Sequence, residues 1–233
     1  MATAVDVEVG RVVQQLMARG VWGNTLLVLS SDNGQHVQSY GYGGWTRGAK
    51  FTEFEGGVRV VGLVSGGLLP TALHNTTYDG LIHFVDWFPT YAALANATPP
   101  SGLDGTNIWP SLITSSPTPS QAVLIAASCL GEANITLHCS VDDPNFQGVL
   151  VTPQYKLIAS EIGGQNLSAY YPMPPHNEID PNAHLYHPPT CGNYNSTCVV
   201  RVVDSPPFPC SFQQPCLFDL QQDQGESTNI ASQ

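Results

Sequence analysis

The stretch NTLLVLSSDNG, residues 24–34, decides the reading of the fold. Leu26, Leu27, Val28 and Leu29 form an unbroken apolar run. Such a run suits a strand covered on both faces, as in a parallel sheet, because a half-exposed strand would alternate apolar and polar residues. Upstream, Val5, Val9, Val12, Val13, Leu16 and Met17 fall on one helical face, and Gly20 follows where a helix needs a left-handed closing residue. A helix feeding a buried strand is the grammar of an α/β domain.

The pattern continues outward from that strand. Residues 32–57 hold seven glycines in 26 positions and show neither helical nor strand period. They read as a long loop at the C-terminal end of the strand, the place where open α/β sheets bind ligands. A second apolar strand is expected over residues 58–64. A helix is expected within residues 78–95, with Leu81, Ile82, Val85, Phe88 and Leu94 on its buried side and Pro89 breaking or restarting it. Beyond residue 96 the texture changes to Pro/Ser-rich stretches with short strands at residues 122–127, 148–151, 155–159 and 216–220. The chain therefore divides into an α/β part, residues 1–115, and a smaller, loop-rich antiparallel region, residues 116–233.

Composition narrows the class. Hydrophobic residues make up 42% of the 233, enough for a core, whereas charged residues are only 11%. Five N-x-Ser/Thr sequons, at Asn75, Asn96, Asn134, Asn166 and Asn195, would supply polar surface as glycans on a secretory-pathway protein. The six cysteines fall in short-range pairs, Cys129/Cys139, Cys191/Cys198 and Cys210/Cys216, without the CxxC spacing of a zinc site. Six cysteines allow many pairings, so the connectivity stays open here. Lys and Arg total seven against a net charge of −11, which leaves a nucleic-acid role without electrostatic footing. No apolar run is long enough to span a bilayer, and Met1 leads straight into an amphipathic pattern rather than a signal peptide.

The chemistry sits at the strand end. Asp32 and Asn33 offer hard oxygen donors of the kind Ca²⁺ prefers, although Asp-Asn-Gly alone is equally a turn signal. Lys50 follows in WTRGAK, residues 45–50, and EGGVR occupies residues 55–59. A lysine beside a divalent cation makes sense when an anion lies between them, since both strengthen as charge builds on that anion. Glu53 and Glu55 read as loop organisers that pair with Arg47 or Arg59.

Taken together, residues 24–34, 47–59, 81–90, 103–110 and 215–220 resemble successive segments of the sulfatase family. The likeness is strongest to the arylsulfatase B-like branch, which acts on sulfate esters of N-acetylgalactosamine. The resemblance implies a partial alkaline-phosphatase-like mixed sheet with flanking helices, followed by a small antiparallel region. It implies Asp32 and Asn33 as calcium ligands, Lys50 as a contact to the substrate sulfate, and a sulfated glycan as a fitting substrate. It implies a lysosomal or extracellular location as well.

Family members attack sulfur with a formylglycine made in a Cys-x-Pro-x-Arg motif. None of the six cysteines here has those neighbours, so no catalytic nucleophile is assigned. Met1 reads as an internal methionine, with the formylglycine segment expected upstream and this polypeptide alone expected inactive. Two other readings stand beside it. One is a non-catalytic glycoprotein or pseudosulfatase on the same scaffold. The other is a phosphodiesterase of the same superfamily, against which counts the lack of a histidine cluster near Asp32.

Overall fold

The computed structural model describes residues 2–34, 46–48, 50, 52–129, 146–159, 210 and 213–232. Its contacts divide the chain into two compact units: Met1–Ser31 with Val61–Gln121, and Asp32–Val60 with Ala122–Gln233.

In the first unit, helix α1 spans Ala2–Ala18. It closes as the sequence expects. Gly20 takes φ +69°, its N–H donates to Met17 O, and Val21 N–H reaches back to Leu16 O. This paired closure satisfies carbonyls that the helix end would otherwise orphan. A 3-10 turn at Trp22–Asn24 leads into strand β1, Leu27–Ser30. Here the structure corrects the sequence reading. Strand β1 pairs antiparallel with β2, Gly62–Ser65, in the register Leu27↔Ser65 to Ser30↔Gly62. The pair is a two-stranded sheet, and Leu29 and Leu63 remain 39% and 56% exposed. With one strand neighbour among the described residues and thinly covered faces, the apolar run lacks the two-sided burial that its composition suits.

Helix α3, Trp87–Leu94, follows a 3-10 turn at Phe84–Asp86. Of the two outcomes expected at Pro89, the structure shows the helical run restarting, with the proline in the first turn of α3. Proline stands third in the helix, within the first turn, where its missing N–H costs no helical hydrogen bond. Phe88, expected on the buried side, is 56% exposed, and the buried residues are Pro89 and Thr90. The anchor of this region is polar. The buried Asp86 carboxylate accepts from His83 N at 2.9 Å and Thr106 N at 2.8 Å. Thr90 Oγ1 in turn accepts from Ile108 N at 3.0 Å, just before helix α4, Trp109–Thr114.

The second unit contains helical turn α2, Glu55–Val58, and a four-stranded sheet. Strands β3 (Val123–Cys129), β4 (Phe146–Val151), β5 (Tyr155–Ala159) and β6 (Cys216–Asp219) run antiparallel in sequence order. Their alternation sends Val149, Val151, Lys156, Ile158, Cys216 and Phe218 inward. Phe54 joins Val149, Ile158, Cys210, Cys216 and Phe218 in one core, meeting Phe218 edge-on at 6.1 Å between ring centroids. The expected Cys210/Cys216 pair is a disulfide with Cα atoms 5.1 Å apart. Cys139, Cys191 and Cys198 lie outside the described residues.

Candidate active site

Three glycine-rich segments of the second unit are stitched together through their backbones. Gly34 N–H donates to Gly57 O at 2.8 Å, and Gly56 N–H donates to Arg47 O at 2.6 Å. The approach is so close that a Cβ on Gly34 would collide with the Gly56 carbonyl, and one on Gly56 with the carbonyls of Arg47 and Gly48. Gly48 itself has φ +78°, a conformation that side-chain-bearing residues adopt at a cost. The stack accounts for Gly34, Gly48 and Gly56: a side chain at any of them would push the layers apart.

The stack seats the residues that the sequence singled out. Asp32 is exposed and Asn33 partly buried, one and two residues before the docked Gly34. Lys50 is partly buried, two residues after Gly48. Both segments are fastened to the same Gly56–Gly57 pair. Asp32 and Asn33 bring hard oxygens that suit a calcium ion. They fill only part of the six to eight positions such an ion takes, and the described residues hold no cluster of three or more His, Cys, Asp or Glu able to bind a metal.

Behind the stack lies a set of buried charges that the sequence reading missed. Lys156 is fully buried, with Nζ 2.7 Å from Glu55 Oε1 and 3.0 Å from Glu226 Oε1. Nζ also donates to Glu53 O at 3.1 Å. The other Glu226 oxygen accepts from Glu55 N at 2.6 Å, and Glu226 O accepts from Arg47 Nη1 at 2.9 Å. Arg47 lies 4.4 Å above the Phe54 ring, a cation–π contact in a desolvated setting. At the rim Arg59 meets Glu55 at 3.5 Å, the pairing expected of a loop-organising glutamate.

Burial sets the protonation of this group. Desolvation pushes the Glu226 carboxyl up to about 7, against the opposing pull of Lys156 and the Glu55 amide. Desolvation likewise lowers Arg47 from its ordinary value, with Glu226 and Asp223 acting the other way. Glu53 is raised by burial too. One of the two missing residues left a trace in the sequence: Lys156 alternates with Ile158 in YKLIA and so belongs to the inward set. Glu226 left none. It lies 171 residues from Glu55 in a polar tail.

Two sequon asparagines fall on exposed turns. Asn75 and Asn96 have φ +58° and +54°, left-handed positions that asparagine tolerates well. Asn134, Asn166 and Asn195 lie outside the described residues. The surface hollows of the first unit run along α1, past Glu8, Val12 and Leu16, and carry none of the site residues.

Comparison with known proteins supplies the class. The solved structure of Ps i-CgsB with k-i-k-neocarrahexaose superposes over 100% of this chain and 38% of its own, with a TM-score of 0.63 at 21% identity. PsFucS1 sulfatase from Pseudoalteromonas sp. does so over 97% and 37%, with a TM-score of 0.62 at 21% identity. The fold is therefore α/β, a part of the alkaline-phosphatase-like fold of sulfatases.

Sequence similarity points the same way. Residues 1–97 match the sulfatase family model. Mouse arylsulfatase J is 35% identical over 111 residues, 47% of this chain and 18% of its own length. Rat steryl-sulfatase is 37% identical over 122 residues, 47% and 20% of the two chains. The chain is thus similar to sulfatases over part of its length, and spans about a fifth of the length of these two relatives.

Proposed function

We propose that this chain is the cation- and sulfate-binding part of a sulfuric ester hydrolase. The observation that carries the reading is the glycine stack. It fastens the Asp32–Asn33 turn and the Lys50 segment to one Gly56–Gly57 pair, within the stretch that matches the sulfatase model.

In this reading Asp32 and Asn33 give two oxygens to a calcium ion, whose remaining ligands come from groups other than the described residues. When bound, the cation polarises a sulfate oxygen. Lys50 holds a second oxygen by charge and hydrogen bond, which strengthens as negative charge gathers in the transition state. The attacking group, a formylglycine by resemblance, is not among these residues, since the sequence contains no Cys-x-Pro-x-Arg motif. A sulfated sugar of the N-acetylgalactosamine type is the substrate that the arylsulfatase B-like resemblance favours. The sequons at Asn75 and Asn96 and the Cys210–Cys216 disulfide support passage through the secretory pathway, to a lysosomal or extracellular destination.

The lysine content makes the site testable. Lys50 and Lys156 are the only lysines, and Lys156 is fully buried. Amine acylation read by mass spectrometry therefore reports on Lys50. Inorganic sulfate with calcium is expected to slow Lys50 acylation, and Asp32→Ala to weaken that protection. Equal labelling with and without sulfate would refute the assignment. The 233-residue chain is expected to show no turnover of an aryl sulfate, and robust turnover by it would overturn the division of labour.

A further inference from the structure

The segment carrying Lys50 is held from behind at three points, and all three converge on two residues, Glu226 serving through its backbone carbonyl as well as its carboxylate. Upstream of Lys50, Arg47 donates to Glu226 O at 2.9 Å. Downstream, Glu53 O accepts from Lys156 Nζ at 3.1 Å. Further on, Glu55 gives its N–H to the Glu226 carboxylate at 2.6 Å and its own carboxylate to Lys156 at 2.7 Å. Lys50 lies between these fastenings.

The arrangement is costly as mere filling. Replacing a buried ion group by apolar residues of similar volume is often neutral or stabilising. What charges supply and apolar groups do not is direction: the bonds here fix the Arg47 guanidinium, the Glu53 carbonyl, and the amide and carboxylate of Glu55. Glu226 also takes φ +51°, a conformation that non-glycine residues keep when their surroundings demand it. Its turn is braced independently. The Asp223 carboxylate accepts from the Ser227 and Thr228 amides at 2.7 and 2.8 Å, and Ile230 N–H ties the tail to Leu217 O of β6 at 2.9 Å. The clamp therefore has a fixed base in the sheet.

We propose that Glu226 and Lys156 are positioning residues for Lys50, clamping residues 47–55 so that the lysine is presented to the sulfate group. This rests on the reading of Lys50 as the sulfate contact. The two residues meet no substrate themselves and act through the segment that they hold.

Hydrogen exchange and Lys50 acylation on the full 233-residue chain test the two claims separately. Glu226→Ala is expected to speed exchange across residues 46–55 by about tenfold or more, the scale of losing a charge-assisted hydrogen bond, while Val149 and Ile158 keep their protection. Glu226→Gln, which retains an oxygen for the Glu55 amide, should recover most of it. The sulfate concentration that half-protects Lys50 should rise in Glu226→Ala and fall back in Glu226→Gln.

Unchanged exchange over residues 46–55 in Glu226→Ala would overturn the clamp. So would a Glu226→Gln chain that loses protection in β4 and β5 together with residues 46–55, because Glu226 would then be supporting the sheet. If sulfate leaves Lys50 acylation unchanged in the unaltered chain while Glu226→Ala still loosens residues 46–55, the clamp stands and the sulfate assignment falls.

Discussion

The two units of the chain spend their hydrophobicity differently. In the first, strands β1 and β2 come from apolar sequence, yet Leu29 and Leu63 are 39% and 56% exposed. In the second, Phe54, Val149, Ile158 and Phe218 are fully buried and enclose a lysine and a glutamate. Apolar composition thus sets what a strand can bury, and the neighbours that it finds decide what it does bury. The second unit is where single substitutions should be felt.

The largest effect is expected from Lys156→Met. Removing one partner leaves Glu55 and Glu226 buried without their cation, a change that typically costs about 3–5 kcal/mol. Denaturant titration should show the β3–β6 sheet unfolding well before that of the unaltered chain. Joint replacement of Cys210 and Cys216 by alanine comes next. The disulfide closes a loop of six residues' separation, and opening a short loop should cost about 2 kcal/mol by the chain-entropy argument.

A pH series gives a smaller and signed effect. The Glu226 carboxyl titrates near 7 when folded, against the ordinary 4.5. Between those values the folded chain keeps a proton that the unfolded chain releases. Its contribution to stability is therefore fully present below about 4.5 and declines as pH climbs toward 7, at about 1 kcal/mol per pH unit at most. Glu53, also raised by burial, adds in the same direction. Melting curves across pH 4–8 should slope downward in the unaltered chain and flatten in Glu226→Gln; an upward slope would contradict this account. Smallest of all, Val61→Thr in the first unit should stay within about 0.5 kcal/mol, as surface changes usually do.

Legibility in the sequence follows the range of the forces involved. Residues 155–159 were readable as a strand, and β5 has those bounds, because alternation is a local signal. Gly20 was readable as a helix end for the same reason. The expected strand at 58–64 is instead β2 at Gly62–Ser65, preceded by a helical turn at Glu55–Val58. That turn answers to Glu226 across 171 residues, and no window of sequence contains both partners. The parallel pairing expected of β1 failed likewise, since strand direction depends on which neighbour arrives. Asp32, Asn33 and Lys50 were legible as a motif at a strand end. Lys156 showed only as an inward position of its strand and Glu226 not at all, because their roles exist only once distant segments meet.

The reach of the Glu226 contacts has a consequence for biosynthesis. Glu55 and Arg47 leave the ribosome 171 and 179 residues ahead of their partner. At ordinary elongation rates that interval is on the order of 10 to 30 seconds. Throughout it, the glycine-rich segment exists as nascent chain without its fastening. Arrival of residue 226, rather than local folding, is the event that sets this loop.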